Sequence, residues 1–248
     1  VSPEVFKHLP HLQGKLTPPE RSEFRATPER MAYWDQLAQK VGRPPTWRLS
    51  DQELEESRRA VLGQRESGRD LWVFAYGSLM WDPGFHFEEV RLAELDGFRR
   101  CFSLRIRLGR GSAENPALML ALEPGAGCCT GLAFRIGSAL LEEEMTIFWR
   151  REMITASYRP RLLPARTPQG EIESLVLTAN PAHQNYVGPL ALEETAQTIA
   201  TGSGALGTNL HYLEQLVEKL EQLGIRDDYV QQLIDRVRCI EPRGVEPQ

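Results

Sequence analysis

Of the 248 residues of this chain, Glu152 is the one whose type and spacing best suit it to move protons. It lies in Leu140–Thr155, a stretch with apolar residues at helical spacing. At about 100° per residue with Leu141 at zero, Met145 falls near ~+40°, Phe148 near ~−20° and Glu152 near ~+20°. The carboxylate is therefore centred on the apolar stripe. Glu142, Glu143 and Glu144 are spread by roughly 100° or more around the turn and are expected to face mostly solvent. A carboxyl among Leu, Met and Phe loses hydration, which disfavours its charged form and raises its pKa toward the range useful for acid–base work. The competing reading is structural: a salt bridge to Arg151, Arg159 or Arg161, or a buried carboxyl satisfied by backbone. Spacing weighs these equally.

Tyr76-Gly77-Ser78-Leu79 is the second candidate. It ends the apolar, β-rich run Leu-Trp-Val-Phe-Ala-Tyr (71–76). A glycine after a strand lets the backbone turn sharply and present successive N–H groups to an anion or oxyanion. Ser78 lacks the context of a nucleophile, because there is no G-x-S-x-G elbow and no His placed as its base. Gly202-Ser203-Gly204-Ala205-Leu206-Gly207 is a literal G-x-G-x-x-G before a helix, with Asp227 and Asp228 about 20 residues on. However, the preceding Glu193–Ala200 reads as helix rather than strand, and the aspartates end no second strand. The segment is expected to be a glycine-rich link between helices, with Thr208 or Asn209 as the cap.

The five His show neither H-x-x-x-H nor H-E-x-x-H spacing, so a protein metal site is not expected. The four cysteines, Cys101, Cys128, Cys129 and Cys239, include no C-x-x-C and read as free thiols of a reducing cytosol. A hydrophobic fraction of 41% with 25% charged residues is a globular composition. The net charge of −5 argues against nucleic acid or anionic lipid as the main partner. No apolar run approaches the roughly 20 residues of a membrane helix. The first residues are too polar and Pro-rich for a signal peptide, although a start at Val1 leaves room for a trimmed leader. A cytoplasmic protein of open oligomeric state is expected.

These residues need elements to hold them. Residues 1–69 read as a helical N-terminal extension packed on a main domain of residues 70–248. One helix follows Thr27-Pro28 and a second starts at Ser50 with Glu53 as capping-box partner. Phe24, Trp34 and Trp47 are the expected docking residues. Beyond Leu71, short strands are expected at 71–76, 88–96, 98–107, 117–123, 130–136 and 172–178, separated by Gly, Pro and Asn clusters. Helices are expected at about 139–155 (capped by Ser138), 190–200, 208–223 and 227–239. The fold class is α+β, a compact sheet or small barrel with helices, and no β-α-β alternation suggests a doubly wound sheet.

Tyr76-Gly77-Ser78-Leu79, with Trp81 and Pro83-Gly84-Phe85 following, resembles the ChaC family of γ-glutamylcyclotransferases. In family order come Gly97–Phe102, Gly131–Arg135, Trp149-Arg150-Arg151-Glu152-Met153, Tyr158, Tyr186–Pro189, Gly204–Asn209 and Tyr212-Leu213. The likeness covers about residues 70–240, and Trp-Arg-Arg-Glu-Met looks like the bacterial branch. The resemblance implies a small mixed β-barrel (γ-glutamylcyclotransferase-like) with flanking helices. It also implies cofactor-free cleavage of glutathione into 5-oxoproline and Cys-Gly. The family's general acid/base Glu falls on Glu152, the residue the helical wheel singles out. The family's γ-glutamyl-cradling loop falls on Tyr76, Gly77, Ser78 and Leu79. Tyr158 then orients Glu152 or bonds substrate, with plain core as the alternative. Asn209 contacts substrate or caps a helix, and Arg105 or Arg107 pairs the glycyl carboxylate or is a solvated strand residue. Two other functions stay open: turnover of other γ-glutamyl amines or amino acids, and a non-catalytic metabolite-binding module.

Overall fold

A computed structural model describes residues 3–63, 65–66 and 68–240. The helices are α1 (Pro28–Lys40), α2 (Asp51–Leu62), α3 (Leu141–Glu152), α4 (Leu192–Thr201), α5 (Asn209–Gln222) and α6 (Asp228–Arg238). The main strands are β1 (Leu71–Ala75), β2 (Glu89–Ile106), β3 (Ala117–Ile136), β4 (Tyr158–Thr167) and β5 (Gly170–Ala179). These five form a closed barrel in the order β1-β3-β2-β4-β5. β1 runs antiparallel to β3, with Val73 opposite Phe134, and parallel to β5, with Val73 opposite Leu175. The fold is thus the α+β barrel with helices that the sequence predicts.

The chain divides into two compact units, the first made of residues up to Arg99 plus Leu122–His183, the second of Arg100–Ala121 plus the residues from Gln184 onward. β2 and β3 contribute residues to both. In the first unit, Val73, Phe74, Leu132 and Phe134 are buried. Phe134 meets Phe85 and Phe87 edge-on at centroid distances of 5.8 and 4.8 Å, and Phe85 meets Phe148 of α3 at 5.9 Å. In the second unit, Phe102 packs edge-on against Tyr212 at 6.1 Å, beside buried Leu213, Leu216, Leu233 and Ile234. Among the described residues no helix is long and apolar enough to cross a membrane.

Several expectations change. The pairs 88–96/98–107 and 117–123/130–136 are each one continuous strand. Gly97 (φ +77°) and Gly127 (φ +100°) bend those strands rather than ending them. β4 went unseen because Pro160, Pro164 and three arginines disguise it. The two prolines lie four residues apart, so their missing N–H groups fall on one side of the strand. Ser138 does not cap α3; its N–H donates to Asp70 at 2.9 Å, and Leu140 holds the cap position. Glu144 is buried, not solvated: it lies at the edge of the apolar stripe, where Arg25 neutralises it. Ser203–Gly204 and Gly207–Thr208 form a small two-stranded hairpin, β6–β7, instead of a plain link, and Thr208 caps α5. A Cβ on Gly204 would come within 2.4 Å of the carbonyl oxygens of Gly109 and Gly111.

Thr27 and Ser50 cap α1 and α2, the latter with Glu53 in a complete capping box. Of the three expected docking residues, Phe24 meets Arg151, whose guanidinium carbon lies 5.3 Å from its ring centroid, and the two tryptophans differ from expectation. Trp47 donates to Asp35 within the same segment, and Trp34 is only half-buried. Phe6 meets Phe87 edge-on at 6.1 Å, Thr17 N–H donates to the Trp81 carbonyl, and Leu49 N–H donates to the Ile154 carbonyl. Arg58, almost fully buried, joins Glu55 to Glu142 of α3. A buried arginine holding two carboxylates fixes orientation more tightly than apolar contact alone.

Candidate active site

α3 delivers Glu152 at its last helical position, one turn beyond Phe148. Met145 and Phe148 of the same face are buried, as the helical wheel requires. The chain leaves the helix through Met153–Ser157, where Ala156 adopts φ +56°, and enters β4 at Tyr158. The Glu152 side chain keeps 15% exposure, and its Oε1 lies 2.8 Å from Arg151 Nε. Two opposing influences act on this carboxyl. Burial raises its pKa, Arg151 pulls it down by charge and hydrogen bond, and Asp82 adds a smaller upward push; the net direction is upward from the ordinary 4.5. Both sequence readings of Glu152 therefore hold at once: it is desolvated and it is ion-paired. Arg159 and Arg161 are engaged elsewhere, with Asn180 and the Phe98 ring.

Arg151 is the residue that sequence reasoning undervalued, having named it only as a bridge partner and as part of the Trp149–Met153 motif. Its side chain is 8% exposed. Nη1 donates to the carbonyls of Asp82 (2.8 Å) and Pro83 (3.2 Å), and Nη2 donates to Ser78 Oγ (3.3 Å). One guanidinium thus ties Glu152 to the turn that follows β1. Its one signal in the sequence was adjacency to the stripe-centred Glu152, which does not by itself say which way the arginine side chain turns.

The turn itself is a 3-10 turn, Ser78–Met80. The Gly77 carbonyl accepts from Met80, and the Ser78 carbonyl accepts from Trp81 and Asp82. The N–H groups of Gly77, Ser78 and Leu79 have no acceptor among the described residues, as expected at the start of a helical turn. Successive amides left free at a turn of this kind are available as donors to an oxyanion or carboxylate.

The remaining candidates fare differently. The Tyr76 hydroxyl donates to the Leu177 carbonyl at 2.8 Å, so its phenol pins the turn to β5. Tyr158, half-buried, opens β4 opposite Ala179. Asn209, in the second unit, is fully buried: its Oδ1 accepts from Leu118 N–H at 2.7 Å and its Nδ2 donates to the Leu118 carbonyl at 2.9 Å. The helix cap expected of Asn209 falls to Thr208 instead, and the Asn209 amide pairs with the buried backbone of β3 at Leu118 like an added strand. Arg105, also in the second unit, faces Glu194 at 3.7 Å. Among the described residues no group of three or more His, Cys, Asp or Glu converges as metal ligands.

A family model described as ChaC-like protein matches residues 71–240. A glutathione-specific γ-glutamylcyclotransferase of Escherichia coli (strain K12) is 39% identical over 180 residues, covering 72% of this chain and 78% of that protein. A γ-glutamylcyclotransferase 2-1 of Arabidopsis thaliana is 33% identical, covering 68% of this chain and 82% of its own. Among solved structures, a glutathione-specific γ-glutamyl cyclotransferase from yeast superposes with a TM-score of 0.63 at 22% identity, covering 68% of this chain and 96% of that one.

Proposed function

The chain belongs to the ChaC-like family and is a γ-glutamylcyclotransferase, and we propose that Glu152 and the amides of Gly77, Ser78 and Leu79 carry its reaction. The substrate is glutathione and the products are 5-oxoproline and Cys-Gly. The observation that carries the assignment is the Arg151 guanidinium, which joins the desolvated Glu152 carboxyl to the turn bearing the unpaired amides.

The chemistry is an intramolecular acyl transfer. The α-amine of the γ-glutamyl group attacks its own γ-carbonyl carbon, forming the C–N bond of a five-membered lactam. The C–N bond to the cysteinyl nitrogen then breaks. Nucleophile and electrophile share one molecule, so the protein's chief task is to hold a folded, near-attack geometry. Glu152 takes the proton released by the attacking amine and returns it to the leaving cysteinyl amine, so the balance closes without a water or co-reactant. A carboxyl raised above its ordinary pKa serves both halves better than a fully acidic one. The turn amides stabilise the oxyanion of the tetrahedral intermediate.

In this reading residues 1–69 are a helical extension to a cyclotransferase domain of residues 70–248, and Tyr158 orients Glu152 or bonds the substrate. Asn209, held by Leu118 through one acceptor and one donor, and Arg105, whose exposed partner Glu194 stands 3.7 Å away, are the further candidates for substrate contact. The protein works in the cytoplasm, where its thiol substrate is reduced. Incubation with reduced glutathione, followed by chromatography, should yield 5-oxoproline and Cys-Gly in equal amounts, with γ-glutamyl amines turned over poorly. Free glutamate as the first product would mean hydrolysis and would overturn the cyclising mechanism.

A further inference from the structure

We propose that Phe24 is a positioning residue for this reaction: its ring face, lying on the Arg151 guanidinium, holds that group in the orientation that joins Glu152 to the Gly77–Gly84 turn. This rests on the reading above and extends it into a segment outside the family match of residues 71–240.

The edges of the guanidinium are already committed. Nε meets Glu152, Nη1 meets the Asp82 and Pro83 carbonyls, and Nη2 meets Ser78 Oγ. The Phe24 ring adds a contact that none of these hydrogen bonds supplies: its face lies under the guanidinium carbon, 5.3 Å from the ring centroid. A face contact of this kind adds attraction and keeps water off the cation.

Phe24 is itself held on both sides. Its N–H donates to Ser22 Oγ at 3.1 Å, and Ser22 is buried. The next residue, Arg25, donates to the Gly84 carbonyl at 3.1 Å and grips Glu144 of α3 with two bonds, 2.7 and 3.0 Å. Upstream, Thr17 N–H donates to the Trp81 carbonyl at 2.9 Å. Residues 17–25 therefore clamp the turn and the glutamate-bearing helix to each other. Gly84, at φ +68°, leaves the room: a Cβ there would stand 2.7 Å from Arg151 Nη1 and 3.3 Å from Ser22 Oγ. The charged groups that act on Glu152 are Arg151 and Asp82, so an uncharged ring influences it only through how firmly Arg151 is held.

The test compares wild type, Phe24→Leu and Phe24→Tyr in 5-oxoproline release across pH. Leu keeps the bulk and excludes water but has no aromatic face. F24L should lose about fivefold in kcat, the worth of a cation–π contact. Its KM for glutathione should stay within about twofold, and the acid limb of its kcat/KM profile should move to higher pH. F24Y should restore both. An F24L enzyme with wild-type kcat and acid limb overturns the proposal. So does a loss of activity that tracks the unfolded fraction in a thermal melt. Wild type that releases no 5-oxoproline instead overturns the reading on which the proposal rests.

Discussion

Replacing Arg151 by Met removes a charge while keeping a long apolar side chain, and it should move the pH profile in a definite direction. Arg151 Nε lies 2.8 Å from Glu152 Oε1, and it is the group that lowers the Glu152 pKa against the upward pull of burial. With charge centres roughly 4 Å apart and an effective dielectric of about 20, the attraction is about 4 kcal/mol, an upper figure near three pKa units. Two features reduce it. Glu152 keeps 15% exposure, and Asp82, with Oδ1 3.7 Å from Arg151, shares the same cation. A rise of about 1–2 units is expected. The proton-accepting form of Glu152 is then scarcer at every pH below the new value. The acid limb of kcat/KM should move to higher pH by about 1–2 units, with activity on that limb about 10- to 100-fold lower. Arg151→Lys keeps the charge and loses the fork; its acid limb should stay within about half a unit while kcat falls. Initial rates of 5-oxoproline release in constant-ionic-strength buffers read both. An R151M acid limb that stays in place or moves to lower pH would refute the argument that Arg151 sets the ionisation of Glu152.

Two further substitutions test the scaffold around this pair. Gly84→Ala places a methyl where Arg151 Nη1 would be 2.7 Å away and forces an L residue to φ +68°. It should cost about 1–2 kcal/mol in urea denaturation and lower kcat more than it changes KM, and full kcat would show that Arg151 can move without penalty. Arg25→Ala leaves Glu144, 1% exposed, without its bidentate partner. A loss of about 3 kcal/mol is expected by the same measurement, and a change under about 1 kcal/mol would mean that the clamp contributes little.

What the sequence revealed was local. Glu152 was legible because a helical wheel needs only twelve consecutive residues, and Met145 and Phe148 share its buried face as that wheel requires. The Ser50–Glu53 capping box and strand β1 were legible for the same reason. What stayed hidden depended on partners far along the chain. Glu144 looked solvated until Arg25, 119 residues away, was found against it. Asn209 read as a substrate contact or a cap, and nothing local showed that its amide would pair with Leu118, 91 residues away. β4 was invisible because its burial is slight and its prolines are those of a loop, yet it pairs with β5 along ten residues. Gly97 and Gly127 carried the right signal, a backbone needing positive φ, but a bulge and a turn share that signal.

The most direct test of the central claim is Glu152→Gln. Burial places the Glu152 carboxyl pKa above its ordinary value, so its folded-state contribution to stability weakens as pH rises through that raised pKa. A neutral amide carries no such penalty, and the variant should fold. Titration calorimetry should show glutathione binding by E152Q with nearly unchanged affinity, while 5-oxoproline release falls by at least about 100-fold, the scale of a lost general acid–base group. Normal turnover by a folded, glutathione-binding E152Q enzyme would contradict the account.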